Sequence, residues 1–161
     1  MNKFVEEIFK NKHDQSEIIM TYGQFLIKTI WRQSFDDLGK VLDSLGEIFE
    51  APLDEQRFIM DGTIQRFEFT IELFWKNFKN LLELEGKEAL TPRQAISLAY
   101  QTKWFDNEKL WMNMLQDRNM SSNTYKEVLA DEIYARVKLY YPEMQATYDR
   151  LKTIDLLRKY L

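Results

Sequence analysis

Residues 64–82 decide the fold, and they read IQRFEFTIELFWKNFKNLL. The main apolar positions in this stretch alternate steps of three and four residues: Ile64, Phe67, Ile71, Phe74, Phe78 and Leu81. Such spacing brings apolar side chains onto one face of an α-helix. We expect this helix to cover residues 54–84 and to end near Gly86, unless Gly62 interrupts it.

Stripes of the same kind predict a helix on either side. The earlier stripe consists of Trp31, Phe35, Leu38, Leu42, Leu45 and Phe49. The later stripe consists of Leu129, Ile133, Val137, Tyr140, Met144, Tyr148 and Leu151. Pro142 lies inside the later stripe and is expected to kink that helix or to start a new one, because proline cannot donate a helical hydrogen bond.

Shorter helices are predicted between these two. TPRQ at residues 91–94 opens one of them: Thr91 suits the N-cap, Pro92 the first helical position and Gln94 the return half of a capping box. Another is expected to start after Asp106. Its apolar positions are Leu110, Trp111, Met114 and Leu115.

The beginning of the chain is less regular. In residues 1–30 we expect a short helix around Phe4 and Ile8, a polar loop at residues 11–16, and then the start of the first bundle helix. No useful strand-like alternation occurs anywhere in the sequence. The sequence therefore predicts an all-α fold, an up-and-down bundle of four to six helices over residues 31–161, preceded by an N-terminal extension at residues 1–30.

Composition narrows the classes of function. A chain of 161 residues suits one domain, and the absence of cysteine excludes disulfides, thiolate metal sites and cysteine nucleophiles. No apolar run is long enough to span a membrane, and the first residues lack the apolar core of a secretory signal, so we expect a cytoplasmic protein. The formal net charge of −4 disfavours a general polyanion binder.

Few residues offer acid–base chemistry. His13 is the single histidine, and we interpret it as an ordinary exposed side chain. Glu68 and Glu72 share a helix face with Lys76 one turn further on. This set forms either the polar wall of a cleft or, more simply, a solvated face with an ion pair. We expect neither a metal ion nor a cofactor, since no glycine-rich phosphate loop or nucleophile elbow is present.

The stretch QDRNMSSNTYKE, residues 116–127, allows two interpretations. Thr124 followed by Glu127 forms a capping box, and the small polar residues before it suit a joint between two helices. Such a joint requires neither Arg118–Asn119 at its start nor Tyr125 just inside the next helix. A functional site therefore stays open as an interpretation.

Four blocks of sequence carry a resemblance to a known family. They are IQRFEFTIELFWKNFK (64–79), TPRQAISLAY (91–100), WMNMLQDRNMSSNTYKE (111–127) and ADEIYARV (130–137). In this order they resemble the nucleotidyltransferase substrate-binding protein family, a branch of the HEPN superfamily. The resemblance covers about residues 31–158.

The resemblance implies a fold, a partner and a motif. Members are up-and-down helical bundles that usually dimerise. They pair with a separate minimal nucleotidyltransferase, often as a toxin–antitoxin module. The motif of HEPN ribonucleases is an Arg and a His separated by four to six residues. In this branch the His is usually followed by one further residue and then a Tyr. The Arg and His of two subunits cleave RNA without a metal, and the partner transferase can silence some members by attaching AMP to the Tyr.

The resemblance transfers only part of this motif. Arg118 and Asn119 match its start and Tyr125 matches its Tyr, but Asn123 stands where His is expected. Arg118 can stabilise charge on a phosphoryl group, whereas a carboxamide cannot accept the proton of a 2′-hydroxyl. Loss of a general base costs about 10² to 10⁴ in rate. Asn123 can still hydrogen-bond a phosphate, ribose or base, so binding is favoured over cleavage.

Three hypotheses follow. The leading one is a non-catalytic substrate-binding subunit that pairs with a minimal nucleotidyltransferase, with Tyr125 as a candidate AMP acceptor and a homodimer as its assembly. It binds a nucleotide, RNA or the partner through Arg118, Asn119, Asn123 and Tyr125. The alternative is a metal-independent endoribonuclease in which Arg118 is catalytic and a carboxylate such as Asp117, or a water, moves the proton. The third is a structural or regulatory helical dimer.

Overall fold

The fold consists of helices alone throughout the part of the chain that is described. A computed structural model describes residues 3–52, 56–121 and 127–159, with the side chains of residue 15 and of residues 22–52, 56–121 and 129–154. Its helices are α1 (Lys3–Ile48), α2 (Gln56–Leu84), α3 (Pro92–Gln101), α4 (Glu108–Met120) and α5 (Glu127–Lys159). The predicted all-α bundle is confirmed.

Helices α1 and α2 pack as an antiparallel pair whose register is fixed by buried polar contacts. The Nδ2 of Asn77 donates to the carbonyl oxygen of Ser34 at 3.1 Å and to its hydroxyl at 2.9 Å. Nearer the connection between the helices, Nε of Arg66 donates to the hydroxyl of Ser44 at 2.8 Å. The predicted apolar stripes of both helices are buried, from Trp31 to Leu45 on α1 and from Ile64 to Leu81 on α2. Phe49, the last residue of the α1 stripe, follows the end of the helix and is partly buried.

Helix α5 packs against α1 where two glycines leave room for tyrosines. A Cβ added at Gly39 would lie 2.6 Å from the hydroxyl of Tyr148, and one added at Gly46 would meet the hydroxyl of Tyr141. The ring of Tyr148 also stacks on Phe35, with centroids 4.7 Å apart. Since higher positions on α5 meet lower positions on α1, the two helices are antiparallel.

Aromatic rings fill the core between α2, α3 and α4. Trp111 of α4 meets Phe74 and Phe78 of α2 edge to face, with centroid distances of 4.8 and 5.3 Å. Phe105, in the connection that follows α3, lies 5.0 Å from Trp111. Edge-to-face and tilted contacts suit the ring quadrupoles, so α4 is held firmly against α2.

The predicted cap of α3 at Thr91 and the predicted end of α2 at Gly86 are confirmed, whereas the capping box of Gln94 is displaced by one residue. The Thr91 side chain accepts from the backbone N–H of Gln94 at 3.2 Å, and Pro92 is the first residue of α3. The Gln94 side chain accepts from the N–H of Leu90 at 2.9 Å, one residue before the cap. Gly86 has φ of 76° just after α2, and the next N–H donates to the carbonyl of Leu82 at 2.9 Å, as in a glycine C-cap.

One expectation about interruptions was wrong. The loop predicted at residues 11–16 is helical and lies inside α1, since its polar residues include neither glycine nor proline and suit a solvated helix. As expected, α2 continues to Leu84, without a break at Gly62. Of the two alternatives at Pro142, a new helix does not start there, because α5 continues through it, and the kink stays a prediction. The predicted start of α2 at Asp54 lies outside the described residues.

The described parts of the chain set two further limits. None of the helices described is long and apolar enough to cross a bilayer. No cluster of three or more potential metal-ligating side chains occurs among the same residues.

Candidate functional site

The C-terminal turn of α4 presents Arg118 and Asn119. Ser121 caps this turn: its backbone N–H donates to the carbonyl of Asp117, and its hydroxyl donates to the carbonyl of Arg118 at 2.6 Å. These bonds satisfy carbonyls that a helix end would leave without partners. The backbone that carries Arg118 is therefore fixed up to the last residue before the segment 122–126, which lies outside the described residues.

Arg118 is joined to α2 through Glu72. Its Nη2 lies 3.0 Å from Oε2 of Glu72, and its Nη1 donates to Oδ1 of Asn119 at 3.2 Å. Glu72 also accepts from the indole N–H of Trp75 at 2.9 Å and pairs with Lys76 at 3.0 Å. The predicted pair of Glu72 and Lys76 is thus present, and it belongs to the same cluster as Arg118.

The cluster keeps Glu72 ionised. Partial burial by itself raises the pKa of this carboxyl group. The hydrogen bonds from Trp75 and Lys76, together with the charges of Lys76 and Arg118, outweigh burial and leave the pKa below its ordinary value. Two cations share one carboxylate here, so the cluster carries a local charge of about +1.

A pocket of about 400 Å³ adjoins this cluster, with an open side toward solvent. Its described lining comes from α2, from the first turn of α3 and from the last turns of α4. The residues are Glu72, Trp75, Thr91, Pro92, Arg93, Leu115, Gln116, Arg118, Asn119 and Met120. Two guanidinium groups, the N-terminus of α3 and an indole therefore border one space. That combination favours a ligand with an anionic group and a flat ring, such as a nucleotide.

Directly before Arg118, Asp117 points the other way into the bundle. Its Oδ2 accepts from Nε of Arg136 and from the hydroxyl of Tyr140, each at 2.7 Å, and its Oδ1 accepts from Nη2 of Arg136 at 2.9 Å. The residue is only 5% exposed. Both of its oxygens are used inside the protein, so Asp117 is poorly placed to take a proton from RNA.

The network also shifts the pKa values of Tyr140 and Arg136. Burial, and after it the hydrogen bond to Asp117, raises the pKa of the Tyr140 hydroxyl well above its ordinary value of 10.0. The hydrogen bonds to Asp117 likewise raise the pKa of the Arg136 guanidinium. Sequence reasoning missed this network, although the spacing of Arg136 and Tyr140 by four residues already placed them one helical turn apart.

The remaining predicted site residues are distributed differently. Glu68 borders a groove of about 900 Å³, together with Arg57, Asp61 and Asp131, whereas Glu72 borders the pocket beside Arg118. The cleft wall of Glu68, Glu72 and Lys76 stays a prediction. Asn123, Thr124 and Tyr125 lie outside the described residues, as does the side chain of His13.

The sequence matches the family model described as "Nucleotidyltransferase substrate binding protein like" over residues 33–153. Among solved structures, a Thermus thermophilus protein is similar at 34% identity and a TM-score of 0.64, covering 71% of this chain and 98% of its own. A Haemophilus influenzae protein, described as revealing the fold of a substrate binding domain of a nucleotidyltransferase, is similar in fold. Its identity is 20% and its TM-score 0.57, covering 77% of this chain and 98% of its own. No curated protein sequence gives a significant match.

Proposed function

Since the chain belongs to the nucleotidyltransferase substrate binding protein like family, we propose that it is the non-catalytic substrate-binding subunit of a two-part system. It pairs with a separate minimal nucleotidyltransferase, in a module of the toxin–antitoxin type. The subunit forms a homodimer and offers a nucleotide or RNA a site beside the last turn of α4.

One observation carries the proposal. Arg118 borders a pocket and is held there by Glu72 and Asn119. A guanidinium of this kind binds phosphate through two parallel hydrogen bonds, and its partners orient it before the ligand arrives. Trp75 adds a ring surface, and Arg93 in the first turn of α3 adds a second guanidinium group. The pocket is thus suited to holding a nucleotide rather than to breaking one.

The residues after Ser121 complete the proposed site. Asn123 hydrogen-bonds the ligand, and Tyr125 is the acceptor of AMP. In this transfer the phenolic oxygen of Tyr125 attacks the α-phosphorus of ATP, and pyrophosphate leaves as the new P–O bond forms. The phenolic proton passes to a base of the transferase.

The alternative function, a metal-independent endoribonuclease, is less well supported. Asn123 supplies no base, and Asp117 is buried with both oxygens hydrogen-bonded to Arg136 and Tyr140. A ribonuclease needs a group that takes the proton of the attacking 2′-hydroxyl. Arg118 alone provides charge stabilisation without proton transfer.

Partner binding is tested by titrating the full chain with the minimal nucleotidyltransferase of its host in a calorimeter, with and without ATP. We expect a saturable complex and, after incubation with ATP, a mass increase of one AMP. Tyr125→Phe should abolish the mass increase, whereas the matched change Tyr134→Phe should leave it intact. Absence of any complex at micromolar concentrations of both proteins would overturn the proposal.

A nuclease assay in EDTA separates the two functions. We expect no cleavage of RNA by the native chain, and cleavage to appear in Asn123→His if the pocket retains the geometry of its family. Cleavage by the native chain that disappears in Arg118→Ala but not in Arg57→Ala would establish the ribonuclease instead.

A further inference from the structure

The N-terminal half of α1 extends beyond the rest of the bundle. Asn77 meets Ser34, so the seven residues from Asn77 to Leu84, the end of α2, lead back along α1 only to Ile27. Tyr148 lies against Gly39, so the eleven residues from there to Lys159, the end of α5, lead back only to Lys28. Residues 3–26 therefore project by roughly 36 Å at 1.5 Å per residue. We call them the arm.

Exposed apolar side chains mark the base of the arm. Tyr22 and Phe25 are each 63% exposed, and Leu26 and Ile30 are also exposed, whereas Trp31 is only 2% exposed. At 3.6 residues per turn, Tyr22 lies on the side of α1 opposite Trp31. These side chains thus do not belong to the face of α1 that packs into the bundle core. They form a second apolar face that is directed away from it.

The sequence of the arm extends this face as a heptad repeat. Positions 4, 8, 11, 15, 18, 22 and 25 hold Phe, Ile, Asn, Gln, Ile, Tyr and Phe, in alternating steps of four and three. Such a repeat is the pattern of a helix that pairs with another helix in a coiled coil. Most of the stability of a helix in a protein comes from packing of its apolar face, so a projecting helix is stabilised by such a partner.

The repeat is symmetric about position 13, which identifies the partner. In an antiparallel pair of two arms centred there, position 4 faces 22, position 8 faces 18, and position 11 faces 15 of the other copy. Aromatic residues then face each other, as do isoleucines and carboxamides. Polar residues inside such a seam fix register, and a two-fold interface requires this kind of self-complementarity.

The charged residues of the arm are also compatible with pairing to a second copy of the chain. The arm carries Lys3, Glu6, Glu7, Lys10, Lys12, Asp14 and Glu17. With three lysines against four carboxylates, two arms repel each other little, and a strongly charged partner gains nothing from the arm. The arm lies before the family match, which begins at residue 33.

We propose that the arms of two copies pair as an antiparallel coiled coil and that this contact holds the homodimer together. The inference rests on the homodimer of the proposed function and assigns its interface. It does not involve the transferase, so binding of that partner is tested separately.

The mass of the full chain in solution tests the interface. Light scattering should give twice the 19.5 kDa of one chain for the native protein. Tyr22→Glu and Phe25→Glu should raise the dimer dissociation constant at least 100-fold and give the mass of one chain at about 10 μM. Phe58→Glu, which changes a 75% exposed ring on α2, is the matched control and should remain dimeric. Circular dichroism should show lost helix only in the arm variants.

Cross-linking tests the direction of the arms, since the native chain has no cysteine. Gln15→Cys places two thiols close to the proposed axis, whereas Gln24→Cys places them roughly 33 Å apart along it. A cross-linker of about 10 Å should join only the Gln15→Cys chains. If Gln24→Cys cross-links equally well, the arms are parallel and the register is wrong. A native dimer that survives Tyr22→Glu would disprove the arm contact alone, and a native monomer would also disprove the homodimer.

Discussion

Removing the hydroxyl of Tyr140 tests whether the network around Asp117 stabilises the bundle. Tyr140→Phe keeps the ring, which stacks on Phe67 with centroids 5.9 Å apart, and deletes the hydrogen bond of 2.7 Å to the Asp117 carboxylate. Asp117 retains its two hydrogen bonds from Arg136. The substitution therefore isolates one charge-assisted hydrogen bond in the core.

The magnitude follows from the kind of bond that is lost. Hydrogen bonds to charged groups contribute about 1.5–3 kcal/mol to stability, and the remaining acceptor is 5% exposed, so water replaces the hydroxyl poorly. We expect the free energy of unfolding to fall by about 2 kcal/mol. For a domain of this size, that lowers Tm by about 4–8 °C. It lowers the urea midpoint by about 1 M, given an m-value of about 2 kcal/mol/M.

Urea unfolding followed by circular dichroism measures the effect. The matched control is Tyr141→Phe, because the Tyr141 hydroxyl makes a long bond of 3.3 Å to the neutral side chain of Gln145. We expect that control to lose less than about 1 kcal/mol. In an Asp117→Asn background, Tyr140→Phe should cost much less than in the native chain, because the charged acceptor is gone.

Equal losses for Tyr140→Phe and Tyr141→Phe would refute this reasoning. So would an unchanged cost in the Asp117→Asn background, since it would show that the hydroxyl stabilises the protein without the carboxylate.

Three further predictions concern the same structure. The free energy of unfolding should fall as the pH rises above about 10, because the raised pKa of Tyr140 lets the unfolded chain release its proton first. Urea titrations between pH 8 and 11 should show a shallower fall of this free energy with pH in Tyr140→Phe. Gly86→Ala should cost about 1–2 kcal/mol in the same assay, since φ of 76° strains any residue with a Cβ, and a loss below 0.3 kcal/mol would contradict the cap. Glu72→Gln should tighten the binding of ATP roughly fivefold by calorimetry, because the amide oxygen can still hold Arg118 while removal of the negative charge is worth about 1 kcal/mol. Weaker binding would mean that Arg118 needs the charge of Glu72, and not only its hydrogen bond, to be held in place.

The sequence predicted the buried part of the fold better than its exposed part. Periodicity depends on burial, so the stripes through Phe67 and Leu38 gave the helix faces correctly. The polar run at residues 11–16 carries no such signal, and hydrophilicity was mistaken for a loop. A polar helix and a polar loop differ in backbone hydrogen bonds, which side-chain polarity does not report.

The candidate site was predictable one helix at a time but not across helices. The ion pair of Glu72 with Lys76 is local, and its spacing of four residues predicted it. The contact of Glu72 with Arg118 joins positions 46 residues apart. The first turn of α3 also borders this pocket although it is distant in sequence from both Glu72 and Arg118. Such contacts depend on how α2, α3 and α4 pack, and only the packed bundle shows them.

The two adjacent residues Asp117 and Arg118 explain how the core can support a site at its edge. Successive side chains on a helix diverge by about 100°, so one of them enters the bundle while the other faces the pocket. Asp117 ties α4 to α5 through Arg136 and Tyr140, and Arg118 ties the same turn to α2 through Glu72. A change at Asp117 should therefore reach Arg118 through the backbone of a single turn. Asp117→Asn should weaken nucleotide binding although it touches no ligand, whereas Asp131→Asn, at the separate groove, should not.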